Sequence, residues 1–522
     1  MEGILFTMIA LLAAVASPAA QAPAPPSPYQ DGKAFVCANP IDTHVLASLR
    51  KHRIEPAALC SDEVFIRRVH LDVCGMLPSA QAVRQFLLDD SPTKRSDLID
   101  RLLASPQFAD YWSLKWCDLL RVKAEFPINL WPNAVQAYHR WVRDALAGNT
   151  PYDQFARQLL TSSGSNVRVG PVNFYRAVQG REPSALASAS ALTFMGVRFE
   201  RLQPQHRSGM ESLFSRVMYK PTSEWKEEIV QLNPALSDAF DALMPDGRSV
   251  HVGAGQDPRE VFADWLIARG NPWFARNAAN RTWAWLMGRG IIDEVDDIRP
   301  DNPPSNPQLL GYLESELVRS KYDPRHLYRL ILNSRTYQQS CIPSSADATD
   351  ASLFASYPVR RLDAEVLIDA LCRITGTTES YTSPIPEPFT YIPERNQTIE
   401  LADGSTTSQF LEMFGRPARD TGRFDERDNQ PTDEQRLALL NSTHIQNKIR
   451  TSDRLRQMVR QSRGDRDELV RTLFLEVLSR NPTSQELAAA KEYVRSSGLD
   501  DRGAAGDLVW ALINTKEFLY RH

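Results

Sequence analysis

Recurring signals for the start of a helix constrain the fold of this chain more than any other feature. Ser61-Asp62 precedes apolar residues at helical spacing, and Gly75 and Pro78 lie beyond the end of that run. Ser and Asp cap helix N-termini, proline fits the first helical turn, and glycine commonly follows the last one. Ser91-Pro92 and Ser105-Pro106 repeat the start signal soon afterwards. These signals predict a series of helices separated by short connections.

The same signals and periodicity predict helices along most of the chain. Alternation of apolar and polar residues, which indicates strands, is scarce by comparison. We therefore predict an all-α protein. Besides the three helices above, the predicted helices lie at residues 132–146, 151–160, 185–195, 259–268, 272–287, 307–318, 324–332 and 361–375, with a further set between residues 453 and 518.

Chain length and one Gly/Pro-rich segment predict the domain organisation. A chain of 522 residues is too long for one hydrophobic core. The segment ALMPDGRSVHVGAGQD, residues 242–257, interrupts the helical pattern. We expect two helical domains, residues 41–246 and 257–519, joined by this segment as a linker. Long irregular loops are predicted as well, at residues 161–180 and 376–405.

The N-terminal residues predict export from the cytoplasm. Residues 4–16 form a run of apolar and small residues that suits a signal peptide and is short for a membrane span. We predict a signal peptide over residues 1–19 and a Pro-rich spacer over residues 20–40. The mature protein is then expected in the periplasm or in the external medium, with no further transmembrane segment. A retained membrane anchor is the alternative interpretation.

Composition narrows the possible partners. The net charge of −4 is spread along the chain, which argues against nucleic acid as a partner. Charged residues make up 24% and hydrophobic residues 42% of the chain, as in soluble globular proteins.

The six cysteines form no C-x-x-C pair, so we expect most of them to be isolated buried thiols.

Several long motifs resemble a known family. IDTHVLASL, SDEVFIRRVHLDVCGMLPSA and TPYDQFARQLL resemble the first of two domains of unknown function that are paired in planctomycete-type secreted proteins. REVFADWLIARGNPWFARNAANRTWAWLMGRG, HLYRLILNSRTYQQS and LVWALINTKEFLYRH resemble the second. The resemblance covers nearly the whole mature chain. It implies a two-domain exported protein but no particular reaction.

The chain departs from its relatives where many of them bind haem. Many relatives follow a segment like Gly196-Val197-Arg198 with C-x-x-C-H, which attaches a c-type haem through two thioethers. Arg201 and Pro204 stand in the two cysteine positions here, so covalent haem at this place is excluded and we predict no cofactor. A C-x-C pair of many relatives is replaced by residues 423–425, RFD, which disfavours a thiolate-metal or redox role.

A first group of candidate catalytic residues lies on one predicted helix. The chain has no H-E-x-x-H, G-x-S-x-G, P-loop or dinucleotide-binding motif. Arg68, His70 and Asp72 could together hold an anion or transfer a proton. The structural alternative is an arginine–carboxylate pair that ties this helix to a neighbour.

A second group lies in the motif RRLDAE, residues 360–365. Arg361 and Glu365 are four residues apart, which suits a salt bridge along a helix. The functional alternative makes Asp363 and Glu365 an acid–base pair. A spacing of two places these carboxylates on different faces of a helix, which favours the salt bridge.

Two other clusters have a functional and a structural interpretation. Asp293, Asp296 and Asp297 crowd one loop and could bind a hard cation such as Ca²⁺, although a solvated acidic loop is the alternative. Trp283 and Trp285 belong to a group of tryptophans that could stack on sugar rings. Packing in the core is the alternative for them.

The sequence as a whole predicts a binding or assembly component of the cell envelope, with envelope proteins or polysaccharide as partners. A hydrolase acting on surface polysaccharide is one alternative, built from Arg68, His70, Asp72, Arg361 and Asp363 if the fold brings them together. A former c-type haem protein that has lost its haem site is another.

Overall fold

The computed structural model describes residues 27–33, 35–346, 348–386, 389, 390, 392 and 396–522. The predicted signal peptide, residues 1–19, and residues 20–26 of the predicted spacer lie outside the described residues. Within the part of the chain that is described, no helix is long and apolar enough to cross a membrane.

The described residues form 22 α-helices. In chain order they are α1 (Pro40–His52), α2 (Asp62–Cys74), α3 (Ala80–Leu88), α4 (Lys94–Leu103), α5 (Pro106–Leu119), α6 (Pro132–Ala147), α7 (Tyr152–Thr161), α8 (Pro183–Ser190), α9 (Pro204–Phe214), α10 (Pro258–Ile267), α11 (Phe274–Met287), α12 (Pro307–Arg319), α13 (Pro324–Leu332), α14 (Ala364–Thr375), α15 (Gln409–Met413), α16 (Asp433–Asn441), α17 (Thr443–Thr451), α18 (Asp453–Gln461), α19 (Arg466–Leu478), α20 (Ser484–Ser496), α21 (Asp501–Ile513) and α22 (Lys516–Leu519).

Two of the three helix-start signals agree with the structure at the level of single residues, whereas the helix predicted to open at Ser91-Pro92 begins at Lys94. The Ser61 side chain accepts a hydrogen bond from the Val64 backbone N–H at the start of α2, and Gly75 ends that helix with a φ of 64°. Pro106 occupies the first turn of α5. The prediction for α13 has the observed bounds, and most other predicted helices differ by at most three residues at either end. The helix predicted at residues 185–195 runs five residues past the end of α8.

The prediction of an all-α protein is wrong. Within the described residues, strands form three small antiparallel sheets, so the protein is a largely helical mixed α/β fold. The first sheet has the order β1-β3-β2, and β4 pairs with β5 and β6 with β7. The strands are β1 (Gly164–Ser165), β2 (Val217–Pro221), β3 (Glu228–Leu232), β4 (Phe240–Leu243), β5 (Ser249–Val252), β6 (Arg360–Arg361) and β7 (Tyr520–Arg521).

Part of the segment interpreted as a linker is a β-hairpin. β4 and β5 pair from Phe240 opposite Val252 to Leu243 opposite Ser249. The turn contains Gly247 with a φ of 81°, a conformation that glycine adopts without steric cost. Each strand has only four residues, which is too short for a clear alternation of apolar and polar residues. The Pro and Gly of the turn were therefore interpreted as a linker.

One hydrophobic core runs through both predicted domains. Helices from the two halves of the chain pack against each other, since α1 contacts α12, α4 contacts α13 and α3 contacts α19. The six cysteines are free thiols, of which Cys60, Cys74 and Cys117 are buried. The boundaries at residues 246 and 257 stay a prediction.

Two glycines in helices test the packing of the hairpin. A Cβ at Gly209 in α9 would lie 2.0 Å from the carbonyl oxygen of Leu243 in β4, whereas a Cβ at Gly311 in α12 would meet no atom within 4 Å. We expect Gly209→Ala to lower the free energy of unfolding by about 1–3 kcal/mol, because the strand backbone must shift. Gly311→Ala should raise it by up to about 1 kcal/mol through helix propensity. Urea unfolding measures both, and equal effects of the two substitutions would contradict this packing.

Candidate functional site

A cleft of about 600 Å³ lies where α5, α11, β6, β7 and the segment 423–431 meet. Its volume suits a small ligand group. Trp285 and Phe424 form an aromatic pair in its wall, with ring centroids 6.2 Å apart. The lining is otherwise dominated by charged side chains, namely Lys115, Asp118, Asp293, Arg360, Arg361, Asp363, Arg423, Asp425, Arg427, Asp428 and Arg521.

The RRLDAE motif builds one wall of the cleft. Its first two residues are β6, which pairs with β7 so that Arg360 lies opposite Arg521. Asp363 is the N-cap residue of α14, and Glu365 lies in the first turn of that helix. A strand, a cap and a helical turn therefore follow each other within six residues, and each directs a charged side chain toward the same region.

Arg521 connects two of the predicted candidate residues. Its guanidinium group lies 3.2 Å from a carboxylate oxygen of Asp72 and 2.9 Å from one of Asp363. Tyr111 also donates a hydrogen bond to Asp363, at 3.0 Å. Asp72 accepts further hydrogen bonds from the hydroxyl of Tyr337 at 2.8 Å and from Arg360 at 3.1 Å.

Arg427 and Lys115 extend this network along the floor of the cleft. Arg427 contacts Asp118 at 2.7 Å and Glu365 at 2.6 Å, and Lys115 contacts Asp363 at 2.8 Å. Arg416 and Arg419, which do not line the cleft, pair with Glu365 and Asp118. The complete network has four carboxylates, Asp72, Asp118, Asp363 and Glu365, and six cations, Lys115, Arg360, Arg416, Arg419, Arg427 and Arg521.

The network changes the ionisation of its members. Burial alone would raise the pKa of Glu365, but the attraction of Arg427 and its hydrogen bond bring that pKa down to about 2. The pKa of Asp363 is held well below its ordinary value against the effect of burial, chiefly by Lys115 and Arg521. Burial and the neighbouring Arg427 lower the pKa of Lys115 to about 8. These carboxylates are ionised at neutral pH, and Lys115 carries a charge that its surroundings disfavour.

Arg68 and His70, the other candidates on α2, do not line the cleft. The guanidinium carbon of Arg68 lies 3.7 Å from the ring centroid of Tyr357, and its N–H groups donate to backbone carbonyls, including that of Tyr337. His70 does not line the cleft. Burial, together with Arg373 and Arg101, lowers its pKa to about 4. The structure therefore places Asp72 at the network and His70 away from it.

Arg361 lines the cleft but does not pair with Glu365. It donates to the backbone carbonyl of Phe414 at 2.8 Å and to that of Asp428 at 3.0 Å. Asp363 and Glu365 instead share Arg427, whose Nη1 is 3.9 Å from the first and 2.6 Å from the second. The argument from a spacing of two fails here because the helix begins only at residue 364.

The carboxylates of the acidic loop are paired with arginines. Asp296 contacts Arg281 at 2.5 Å, and Asp297 contacts Arg201 at 2.5 Å. Asp293 lies 3.2 Å from Arg289. Among the described residues, no group of three or more His, Cys, Asp or Glu side chains could hold a metal ion.

The tryptophans divide between core and cleft. Trp283 is fully buried and packs edge-on against Phe354, whereas Trp285 is only partly buried and lines the cleft.

Lys115, Arg427 and Arg521 were not among the predicted site residues. Lys115 left a detectable signal, since it is the only basic residue of helix α5 and lies between apolar and aromatic residues, Leu114 and Trp116, and buried lysines are rare unless paired.

The fold and the cleft together define a largely helical protein with a buried network of ionised side chains beside an open site. A family model described as a protein of unknown function (PSCyt2, DUF1549) matches residues 40–198, and one described as a protein of unknown function (PSD1, DUF1553) matches residues 258–494. The chain therefore belongs to the planctomycete-type proteins in which these two domains are paired. No curated protein and no solved structure matches it.

The buried network joins the two matched segments. Asp72, Lys115 and Asp118 lie in the first, and their charged partners lie in the second or, for Arg521, beyond it.

Removal of the Asp72 charge tests the importance of the network for stability. Asp72→Asn leaves Arg360 and Arg521 with less compensating charge in a buried place, so we expect a loss of about 3–5 kcal/mol in the free energy of unfolding. Asp100→Asn is the control, because Asp100 and its partner Arg329 are 44% and 53% exposed, and it should cost about 0–1 kcal/mol. Urea unfolding measures both losses, and similar losses in the two variants would refute a structural role for the network.

Lys115 should give stability a characteristic pH dependence. Its folded pKa of about 8 lies below its ordinary value of 10.5, so the unfolded chain binds more protons between these two values. Stability should therefore rise with pH from about 8 to 10.5, whereas below about 8 the burial cost is fully present. Relative to Lys115→Met, the wild-type protein should gain about 2–3 kcal/mol over this window. Parallel pH profiles of unfolding for the two proteins would contradict the lowered pKa.

Proposed function

We propose that this protein is an exported binding component of the cell envelope and that the cleft beside the charged network is its ligand site. The observation that carries the proposal is the combination of a cleft of about 600 Å³ with an aromatic pair and a floor of charged side chains. Ligand sites are concave and contain fixed polar groups that orient the ligand. Export rests on the apolar run at residues 4–16 and on the secreted character that the family resemblance implies.

The ionisation of the network supports binding over hydrolysis. A general acid needs a pKa near the operating pH, and the pKa values of Asp363 and Glu365 are both lowered far from neutrality. His70, the candidate for proton transfer, does not line the cleft. Lys115 favours the alternative, because a pKa of about 8 would allow it to act as a base in a hydrolase. The functional experiment must therefore measure reaction as well as binding.

Polysaccharide extracted from the envelope of the source organism is the ligand to test first, because an exported protein meets it directly. We expect calorimetry to detect binding by the mature protein and Phe424→Ala to weaken it at least about tenfold, since Phe424 contributes aromatic surface to the cleft. Phe126→Ala is the matched control, because Phe126 is 79% exposed and does not line the cleft.

Two other outcomes of this experiment count against the proposal, and a third changes the ligand. Equal binding by wild type and Phe424→Ala would place the ligand outside the cleft. Release of new reducing ends during the incubation would identify a hydrolase instead. Absence of binding to the polysaccharide, together with capture of one defined envelope protein that Phe424→Ala abolishes, would replace the polysaccharide by a protein partner.

A further inference from the structure

We infer that the floor of the cleft holds an oxyanion of the ligand, such as a sulfate, phosphate or carboxylate group, and this inference rests on the proposed function. The network next to the floor contains six cations and only four carboxylates. Buried charges that lack a partner of opposite sign are costly. An anion bound in the cleft would compensate the excess.

Arg361 is a further cation beside the network, and the charges of Asp363 and of the exposed Asp428 act on it. Its hydrogen bonds go to the backbone carbonyls of Phe414, Asp428 and Asn429, which carry no net charge. Only 5% of Arg361 is exposed, and the residue lines the cleft. The buried and partly buried cations of the site therefore outnumber its buried carboxylates, whereas the other carboxylates that line the cleft, Asp293, Asp425 and Asp428, are exposed.

Hydrogen-bond donors remain available on the residues of the floor. Nη1 of Arg361 and Nε of Arg521 are buried without a hydrogen-bond partner among the described residues. Lys115 has three N–H groups, and its one hydrogen bond within the described part of the chain goes to Asp363. Arginine and lysine donors of this kind recognise oxyanions through charge-assisted hydrogen bonds.

The distribution of acidic residues fits a small anionic group better than a uniformly anionic surface. Asp293, Asp425 and Asp428 are exposed at the rim of the cleft, and Arg289 lies 3.2 Å from Asp293. The carboxylates of the floor, Asp118 and Asp363, are already engaged by arginines. An oxyanion would therefore reach the floor, while the less charged remainder of the ligand contacts the rim and the aromatic pair.

Sulfate is the first probe, because it remains dianionic throughout the accessible pH range. We expect millimolar sulfate, at ionic strength held constant with chloride, to bind the wild-type protein in calorimetry. Lys115→Met should weaken this binding at least about tenfold through the loss of a charge-assisted donor. Lys448→Met is the matched control, because Lys448 is also buried beside one carboxylate, Glu379, but does not line the cleft.

The pH dependence of sulfate binding provides a second readout that does not depend on a variant folding correctly. The groups that face Lys115 are Asp363, Asp118, Arg427, Arg521 and the ring of Tyr111. Because Lys115 loses its proton near pH 8, the affinity of the wild-type protein for sulfate should fall between about pH 7 and pH 9. Lys115→Arg should retain the affinity over this range.

Comparison of probes separates the inference from the proposed function and identifies the oxyanion. Sulfate, phosphate and acetate distinguish the three oxyanion classes by their relative affinities. Binding of a neutral oligosaccharide that depends on Phe424 but not on Lys115, without binding of any oxyanion, would overturn the inference and leave the proposed function intact. Oxyanion binding that is equal in wild type, Lys115→Met and Lys448→Met would place the anion elsewhere and overturn it too.

Discussion

The buried ion-pair network around Arg521 is the interaction on which the architecture of this protein depends. Arg521 lies between Asp72 of α2 and Asp363 at the start of α14, and these carboxylates come from the two segments that match different family models. Removing one partner from a buried pair leaves an uncompensated charge and costs several kcal/mol. Asp72 and Asp118 are therefore acceptable in the interior only because the second segment supplies their arginines.

This dependence gives a physical reason for the pairing of the two domains in one chain. The hydrophobic contacts of α1 with α12 and of α4 with α13 hold the segments together without strong directionality. The ion pairs add a geometric requirement, because each guanidinium group must meet its carboxylate at hydrogen-bond distance. The apolar core thus stabilises the association, and we infer that the network determines the register in which α5, β6 and β7 meet.

Local signals predicted the helices well because a cap, a proline and a glycine act within a few residues. The Ser61 cap and the Gly75 terminus of α2 are examples of features that a short window contains completely. The strands were missed for the opposite reason. β6 is two residues long and exists because Arg360–Arg361 pair with Tyr520–Arg521, so no local pattern specifies it.

The candidate site was only partly predictable for the same physical reason. Asp72 and Asp363 were identified as candidates, but the residue that joins them, Arg521, is 449 residues from Asp72 in sequence. The spacing rule for Asp363 and Glu365 assumed a continuous helix, and the helix starts between them. Lys115 could have been found from its position between Leu114 and Trp116 as the only basic residue of α5. Arg427 became a candidate only once the structure showed its contact with Asp118 of the other matched segment.

Helix α14 illustrates how the position of one guanidinium group decides what a carboxyl group can do. Glu365 and Asp369 are four residues apart on this helix, and burial opposes ionisation of both. Arg427 contacts Glu365 and brings its pKa down to about 2, whereas Asp369 accepts hydrogen bonds from the backbone of Thr398 and Ile399, and burial raises its pKa to about 7. The carboxylates of the network are therefore ionised because of the arginines beside them, whereas burial, together with Arg427, lowers the pKa of Lys115. A site organised in this way favours recognition of a fixed negative charge over proton transfer by its carboxyl groups.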